Sequence, residues 1–351
     1  MRPTETATVM PAEWYAQDGI LMAWPHAATD WAPMLDEVQA CYRAIVRAIV
    51  DGGEDVLLVA PLDPATLREQ VGIDSARLHL LQVPTNDTWT RDYGPITILR
   101  DGEPTLLDFK FNAWGLKFAA HLDNCVTSRL TQLGVWRAPV VSHLDLVLEG
   151  GSIESDGEGT IMTTTCCLVD DKNRNAMSRE QLTHELQQRL GAKQVLWVDH
   201  GHLDGDDTDG HIDTLARFAP GGTIIYCRPG TSASDEDLSL QRMEQQLSSF
   251  TDAAGRPYRL VGLPKPQRMV DDEGEPLPAT YANFLITNSQ VLVPTYAQPE
   301  LDREALDIIA EAFPHHRVQG IDCRALVKQH GSLHCATMQL PRGTLAVTDA
   351  Q

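Results

Sequence analysis

The sequence predicts an α/β protein built as a closed, pseudo-symmetric ring of five strand–strand–helix–strand units, with the N- and C-terminal strands sharing one of them. Three observations carry this. A text of two apolar strands, an amphipathic helix and a third strand recurs four times in order; the two chain ends together complete a fifth copy; and each helix follows two strands. An ordinary doubly wound α/β sheet, the structural alternative, needs only one strand before each helix.

The split unit uses ILMAWP, a helix from Met34 to Ile49 and DVLLVA, and it takes CATMQLP from the far end of the chain. Residues from Asp63 to Pro84 form an extra helix–strand insertion. The next unit reads ITILR, TLLDFKFN, a helix from about His121 to Leu133, and RAPVVSHLDLVL. In the following one, SIESD and GTIMTTT precede a helix opened by the capping-box text SREQ at Ser178, with Leu182, Leu186 and Leu190 on one face; QVLWV closes it. Then come DTLARFA, GGTIIYC, a helix with Leu240, Met243, Leu247 and Phe250, and YRLVGLP. The last unit is NFLITN, QVLVPTY, a helix bearing Leu301, Ala305, Ile308 and Ala312, and RVQGID. No interdomain linker interrupts the series, so residues 1–351 read as a single domain; PKPQRMVDDEGEPLPAT reads as an exposed excursion between units.

At 351 residues and 42% hydrophobic the chain can bury a large core. It has no run of about 18 apolar residues, and MRPTETATVMPAEW lacks the pattern of a secretion signal, so the expected address is the cytoplasm. A net charge of -21 opposes nucleic acid and anionic membrane as partners and would attract a small cation, although acidity also serves solubility alone. Seven scattered cysteines without C-x-x-C spacing exclude a zinc finger and argue against a disulfide framework; most read as small core hydrophobes in a reducing compartment.

RDYGP, EGGS, GHID, YANF and LHC each fall at the start of the first strand of a unit. Equivalent positions in a ring converge on its axis, so Asp92 and Cys335 can face one pocket. The converging groups are a thiol (Cys335), an imidazole (His211) and carboxylates (Asp92, Glu149, Asp213), the set needed to hydrolyse a cationic carbon centre such as a guanidinium. His211 and Asp213, two residues apart, would project to one side of an extended strand. Taken singly, each has a plainer role: a buried cysteine, a hydrogen-bonded histidine, or one acid among 49.

Two other functions compete. DHGHLDGDDTDGHID is dense in metal donors; as an EF-hand it fails, with Asp209 where glycine is required and Leu215 in place of the terminal Glu, but a metal-dependent hydrolase using His200, His202, Asp204 and His211 stays open. A non-catalytic polyamine binder would keep the acidic pocket and tolerate loss of the thiol.

From MPAEW and MAWPH through RDYGP, FNAWG, LEGGS, DDTDGHID and NFLITN to HCATMQLP, the chain resembles the agmatine deiminase family of guanidine-modifying enzymes, also called the porphyromonas-type peptidylarginine deiminase family. The resemblance implies a five-bladed α/β propeller and hydrolysis of agmatine to N-carbamoylputrescine and ammonia through a thiouronium on Cys335, with no cofactor and no metal. It implies His211 as general acid/base, Asp92 and Asp213 as the pair gripping the guanidinium, and Glu149 as the acid supporting His211 and the guanidinium. Trp89 would form a wall against the substrate, and Asp207 would lie near its distal amine. It also suggests a homodimer or larger homo-oligomer. HGS before Leu-His-Cys and the Tyr of RDYGP depart from the family's usual text, which bears on whether agmatine, free arginine or peptidyl arginine is the substrate.

Overall fold

The structure is a computed structural model that describes residues 7–169 and 174–346. Part of the leader reading, on residues 1–6, lies outside them. The protein is mixed α/β with small sheets, and five of these repeat one plan. In each, a first strand pairs antiparallel with a second, and the second pairs parallel with a third. A parallel pair cannot be joined by a tight turn, so the intervening helix supplies the crossover.

Ile96–Arg100, Glu103–Lys110 and Val140–Val147 form one such sheet, to which Thr8–Val9 adds an edge. Ile153–Ser155, Thr160–Thr164 and Gln194–Val198 form another. Ala216–Ala219, Thr223–Cys227 and Arg259–Leu263 follow, and then Leu285–Ile286, Gln290–Thr295 and Arg317–Asp322. The remaining sheet joins the chain ends: Met338–Pro341 runs antiparallel to Gln17–Ala23, with Met338 opposite Leu21, and Asp55–Ala60 lies parallel beyond. The Asp63–Pro84 insertion becomes the helix Pro64–Val71 and the strand Leu78–Gln82, which lengthens this sheet by one parallel strand.

The helices follow their apolar stripes. Ser178 and Gln181 make the reciprocal capping box, and Leu182, Leu186 and Leu190 are buried beneath the helix Arg179–Leu190; each such side chain contributes about 1.5–3 kcal/mol. Leu240, Met243 and Leu247 are buried likewise under Asp235–Leu247, whereas Phe250 lies past its end. In Pro299–Ala312 Ala305, Ile309 and Ala312 are buried, and Leu301 and Ile308 are partly buried against the core, so Ile309 joins the expected stripe. The helix expected over 121–133 is shorter: a 3-10 turn at Asp123–Cys125 leads into Val126–Gln132, because the Asp123 carboxylate is used to accept the Asn86 and Asp87 N–H groups. The excursion near residue 270 carries a small hairpin, Met269–Val270 with Pro276–Leu277. All seven cysteines are free; Cys41, Cys167, Cys227, Cys323 and Cys335 are buried, while Cys166 is exposed. Among the described residues no helix is long and apolar enough to cross a membrane.

Candidate active site

The site is assembled by turns. Each of the five motifs stands just before the first strand of its sheet: Asp92 in the one-turn helix Thr90–Tyr93, Glu149 capping the 3-10 turn Gly150–Ser152, His211 capping Ile212–Thr214, Asn283 before Leu285, and Cys335 before Met338. The strand expected to hold His211 and Asp213 on one side is absent. A turn takes its place, fixed by His211 N donating to Thr208 Oγ1 at 3.1 Å and by Thr214 Oγ1 donating to the His211 carbonyl at 2.8 Å. The two side chains consequently serve different partners.

His211 reaches Glu149, with Nε2 2.8 Å from Oε2, and its Nδ1 lies 3.6 Å from Asp92 Oδ1. Asp213 Oδ2 is 2.7 Å from His334 Nδ1, accepts from Asn283 Nδ2 at 3.2 Å, and is 3.8 Å from the Cys335 sulfur. The Cys335 thiol also lies 3.4 Å from Asn283 Oδ1. Asp92 Oδ2 accepts from Trp114 Nε1 at 2.9 Å and Oδ1 from the Gly151 N–H at 3.0 Å. Gly151 is the floor on which these groups meet. A Cβ there would sit 2.6 Å from His211 Nδ1, 2.8 Å from Asp92 Oδ1 and 3.2 Å from Asp213 Oδ2, so only glycine leaves the three polar atoms room.

Exposure is 6% for Cys335, 3% for Asp92, 1% for Glu149 and zero for His211 and Asp213, so charges here act with little solvent screening. Two of the buried polar atoms have no hydrogen-bond partner although they belong to this constellation: His211 Nδ1 and Asp213 Oδ1. An unsatisfied buried polar atom costs about 1–3 kcal/mol, which marks where a ligand's complementary groups would be rewarded.

The electrostatics follow from burial and neighbours. Burial pushes the Cys335 thiol well above its ordinary range, and the Asp213 and Asp92 charges push it further. Burial opposes charge on His211, but Asp92, Cys167 and Glu149 outweigh it and hold the imidazolium well above the usual histidine range. Burial, with Glu149 and Asp213 nearby, raises Asp92 to about 6 despite His211 and the Trp114 N–H. Burial also opposes charge on Glu149, yet the His211 and Arg174 contacts keep it below the normal carboxylate value. Burial and the surrounding acids thus favour the proton on Cys335 and the positive charge on His211.

A cavity of about 290 Å³ opens onto Cys335 and is lined also by Asp92, Trp89, Trp114, Asp207 and His330. Cys335, His211, Asp92, Asp213 and Glu149 meet in this constellation, and Trp89 and Asp207 lie on the cavity wall. Sequence reasoning missed Trp114, Asn283, His334 and Arg174. Trp114 stands at φ 54 in FNAWG, a left-handed conformation that bulky residues rarely adopt. Asn283 and His334 stood inside motifs already noted, YANF and LHC; Arg174, which pairs with Glu149 at 3.1 Å, had no local signal. Of the departures from family text, His330 lines the cavity, whereas Tyr93 is buried with its hydroxyl on the Asp87 carbonyl.

The proposed His200, His202, Asp204 and His211 metal set does not assemble among the described residues. His211 is fully buried, whereas His202 and Asp204 form a surface pair at 3.6 Å. Donor groups do cluster at Glu149, Cys167 and His211 and at Glu13, Glu154 and His334, but Arg174 already pairs with Glu149 in the first and Arg217 with both acids in the second.

The profile of the Porphyromonas-type peptidyl-arginine deiminase family matches residues 9–341, and the chain belongs to that family. It is similar to agmatine deiminase of Medicago truncatula, at 31% identity over 97% of this chain and 98% of the relative. Among solved structures it resembles C. jejuni agmatine deiminase with substrate bound, at 35% identity, 96% and 97% coverage and a TM-score of 0.88. It also resembles a Porphyromonas gingivalis protein provisionally named an arginine deiminase, at 47% identity, 96% and 99% coverage and a TM-score of 0.90.

Proposed function

We propose that the protein is a hydrolase of the C–N bonds of linear amidines, and that it converts agmatine to N-carbamoylputrescine and ammonia. The observation that carries the reading is the convergence of Cys335, His211, Asp92 and Asp213 on one buried pocket, with Asp213 Oδ1 and His211 Nδ1 unpartnered. A planar cation between Asp92 and Asp213 would satisfy the acid and place its carbon beside the thiol.

In this reading the guanidinium offsets the two carboxylate charges that hold the Cys335 proton; the thiol gives that proton to water, and the thiolate then attacks the guanidinium carbon. His211, oriented by Glu149, donates a proton to one amino group, which leaves as ammonia and gives a thiouronium. Neutral His211 next takes a proton from water; the hydroxide adds to carbon, the C–S bond breaks, and the hydroxyl proton passes to the departing sulfur, so the urea-type product leaves neutral and the thiol is restored. Water supplies the oxygen, and no oxidant or metal enters the balance. Trp89 forms a wall for the alkyl chain, an aromatic–cation contact being worth about 2 kcal/mol at best, and Asp207 takes the distal ammonium.

The five sheets sharing one plan, the turns that meet, and the strand pairing of the chain ends support a five-bladed propeller in which residues 1–351 form one catalytic domain. A second reading, deimination of free or peptidyl arginine, is favoured by the 47% identity to the provisionally named arginine deiminase. Mass spectrometry after incubation with agmatine and with arginine compounds separates them. Replacement of =NH by =O adds about one dalton to the true substrate, whereas no gain on any guanidine would refute the hydrolase.

A further inference from the structure

The mechanism above leaves one buried titratable side chain beside the nucleophile unused. His334 precedes Cys335, and its ring is clamped between two carboxylates: Nδ1 lies 2.7 Å from Asp213 Oδ2 and Nε2 lies 2.7 Å from Glu13 Oε2. Each ring nitrogen thus stands at hydrogen-bond distance from a carboxylate oxygen. Glu13 is itself anchored, by Arg217 and by the Ile286 N–H at 2.7 Å, and Arg217 also holds Glu154. Asp213, His334, Glu13, Arg217 and Glu154 thus form a continuous chain of acidic and basic side chains from the floor of the pocket into the interior, and all of them are buried.

We propose that His334 is a positioning residue for the reaction: it occupies Oδ2 of Asp213 so that Oδ1 alone is presented to the guanidinium. The unpartnered state of Asp213 Oδ1 beside a doubly engaged Oδ2 is the observation that points to this division. A carboxylate left free to rotate about χ2 would present its oxygens indifferently and lose alignment with the Cys335 sulfur, 3.8 Å away. The titratable and charged groups facing Asp213 are His334, His211, Arg217, Arg91, the Cys335 thiol and the neighbouring Asp92. Burial raises Asp213, but the His334 N–H and charge, then His211 and Arg217, bring it below the ordinary carboxylate value. Removing His334 would let Asp213 titrate at higher pH. The inference rests on Asp213 as a guanidinium ligand.

The test uses the full chain with His334→Gln, which keeps length but cannot donate at both ends, and Glu13→Gln, which leaves the Asp213 contact in place. Two readouts are taken: kcat/KM for agmatine against pH, and the rate at which Cys335 is alkylated by chloroacetamidine, a planar cation, relative to neutral iodoacetamide. For His334→Gln we expect kcat/KM to fall about 10–100-fold with much of the loss in KM, the acid limb to steepen below its Asp92 onset as Asp213 also loses its charge, and the alkylation ratio to fall about tenfold. Glu13→Gln should shift all three in the same direction by less. A folded His334→Gln protein with wild-type profile and ratio would overturn the proposal, as would a lowered melting temperature with an unchanged ratio; if His334→Gln does not fold, Glu13→Gln with wild-type values does the same. Should the wild type turn over no guanidine, the hydrolase reading falls and the alkylation ratio alone decides the role of His334.

Discussion

Asp92→Asn separates charge from shape at the centre of the pocket. In the native protein each Asp92 oxygen already accepts one hydrogen bond, from Gly151 N–H at 3.0 Å and Trp114 Nε1 at 2.9 Å, and each retains capacity for a guanidinium N–H. The amide would keep one acceptor and turn an NH2 toward the other donor, orphaning it at a cost of about 1–3 kcal/mol in stability. Two charge-assisted bonds to substrate would become neutral or repulsive, a loss of about 1–2 kcal/mol each, so kcat/KM should fall about 30–1000-fold. The same change removes a negative charge that raises the Cys335 thiol, after burial and Asp213, so the free thiol should ionise more readily. Opposite signs are therefore expected in two assays: slower deimination, but faster alkylation by iodoacetamide at neutral pH. Stopped-time alkylation followed by intact mass, alongside ammonia release, reads both. Turnover within about threefold of wild type, or alkylation no faster than wild type, would refute the electrostatic reasoning.

Cys335→Ala and His211→Ala should each abolish turnover while circular dichroism and cooperative melting persist; full activity in either purified protein would remove the role assigned to it. The acid limb of kcat/KM should fall near pH 6, because Asp92 rises from 3.8 to about 6 in the free site and loses its charge as pH drops through that value. On the alkaline side activity should climb as the raised thiol ionises, and a profile flat from pH 5 to about 8 would contradict both assignments. Gly331→Ala would drive a methyl to 2.4 Å from the Trp89 ring, so agmatine KM should rise with kcat less affected; an unchanged KM would take Trp89 out of the substrate wall. Activity should withstand exhaustive chelation and vanish with iodoacetamide, the reverse outcome restoring a metal mechanism.

The strand–strand–helix–strand plan was legible because period-two apolar strands and stripes such as Leu182, Leu186 and Leu190 encode burial locally. The pairing of Met338–Pro341 with Gln17–Ala23 was legible for another reason: each terminal fragment lacked the partners its repeat required. The turns were not. Whether His211 and Asp213 lie on a strand or in a 3-10 turn depends on Thr208 and Thr214, which close it by side-chain bonds that leave no periodic trace. Arg174 and Glu13 were hidden for a related reason. Their value lies wholly in long-range charge pairing, with Arg174 to Glu149 and Glu13 to His334 spanning folds of chain that no local spacing describes.

The charge balance around Cys335 also sets when it can react. Among the protein's own groups the acids win: burial, Asp213 and Asp92 hold the proton on sulfur, while the positive charge of His211 faces Asp92 and Glu149. A cation arriving between the two aspartates reverses that balance, because it adds the charge the site lacks at the distance where Coulomb interactions are least screened. Reactivity is then conditional on a bound guanidinium, and neutral electrophiles meet a protonated sulfur. The overall charge of -21 draws cations from afar, but salt screens that field over about 8–10 Å; in the proposed reading, selectivity for a planar cation over a simple ammonium comes from the Asp92 and Asp213 oxygens.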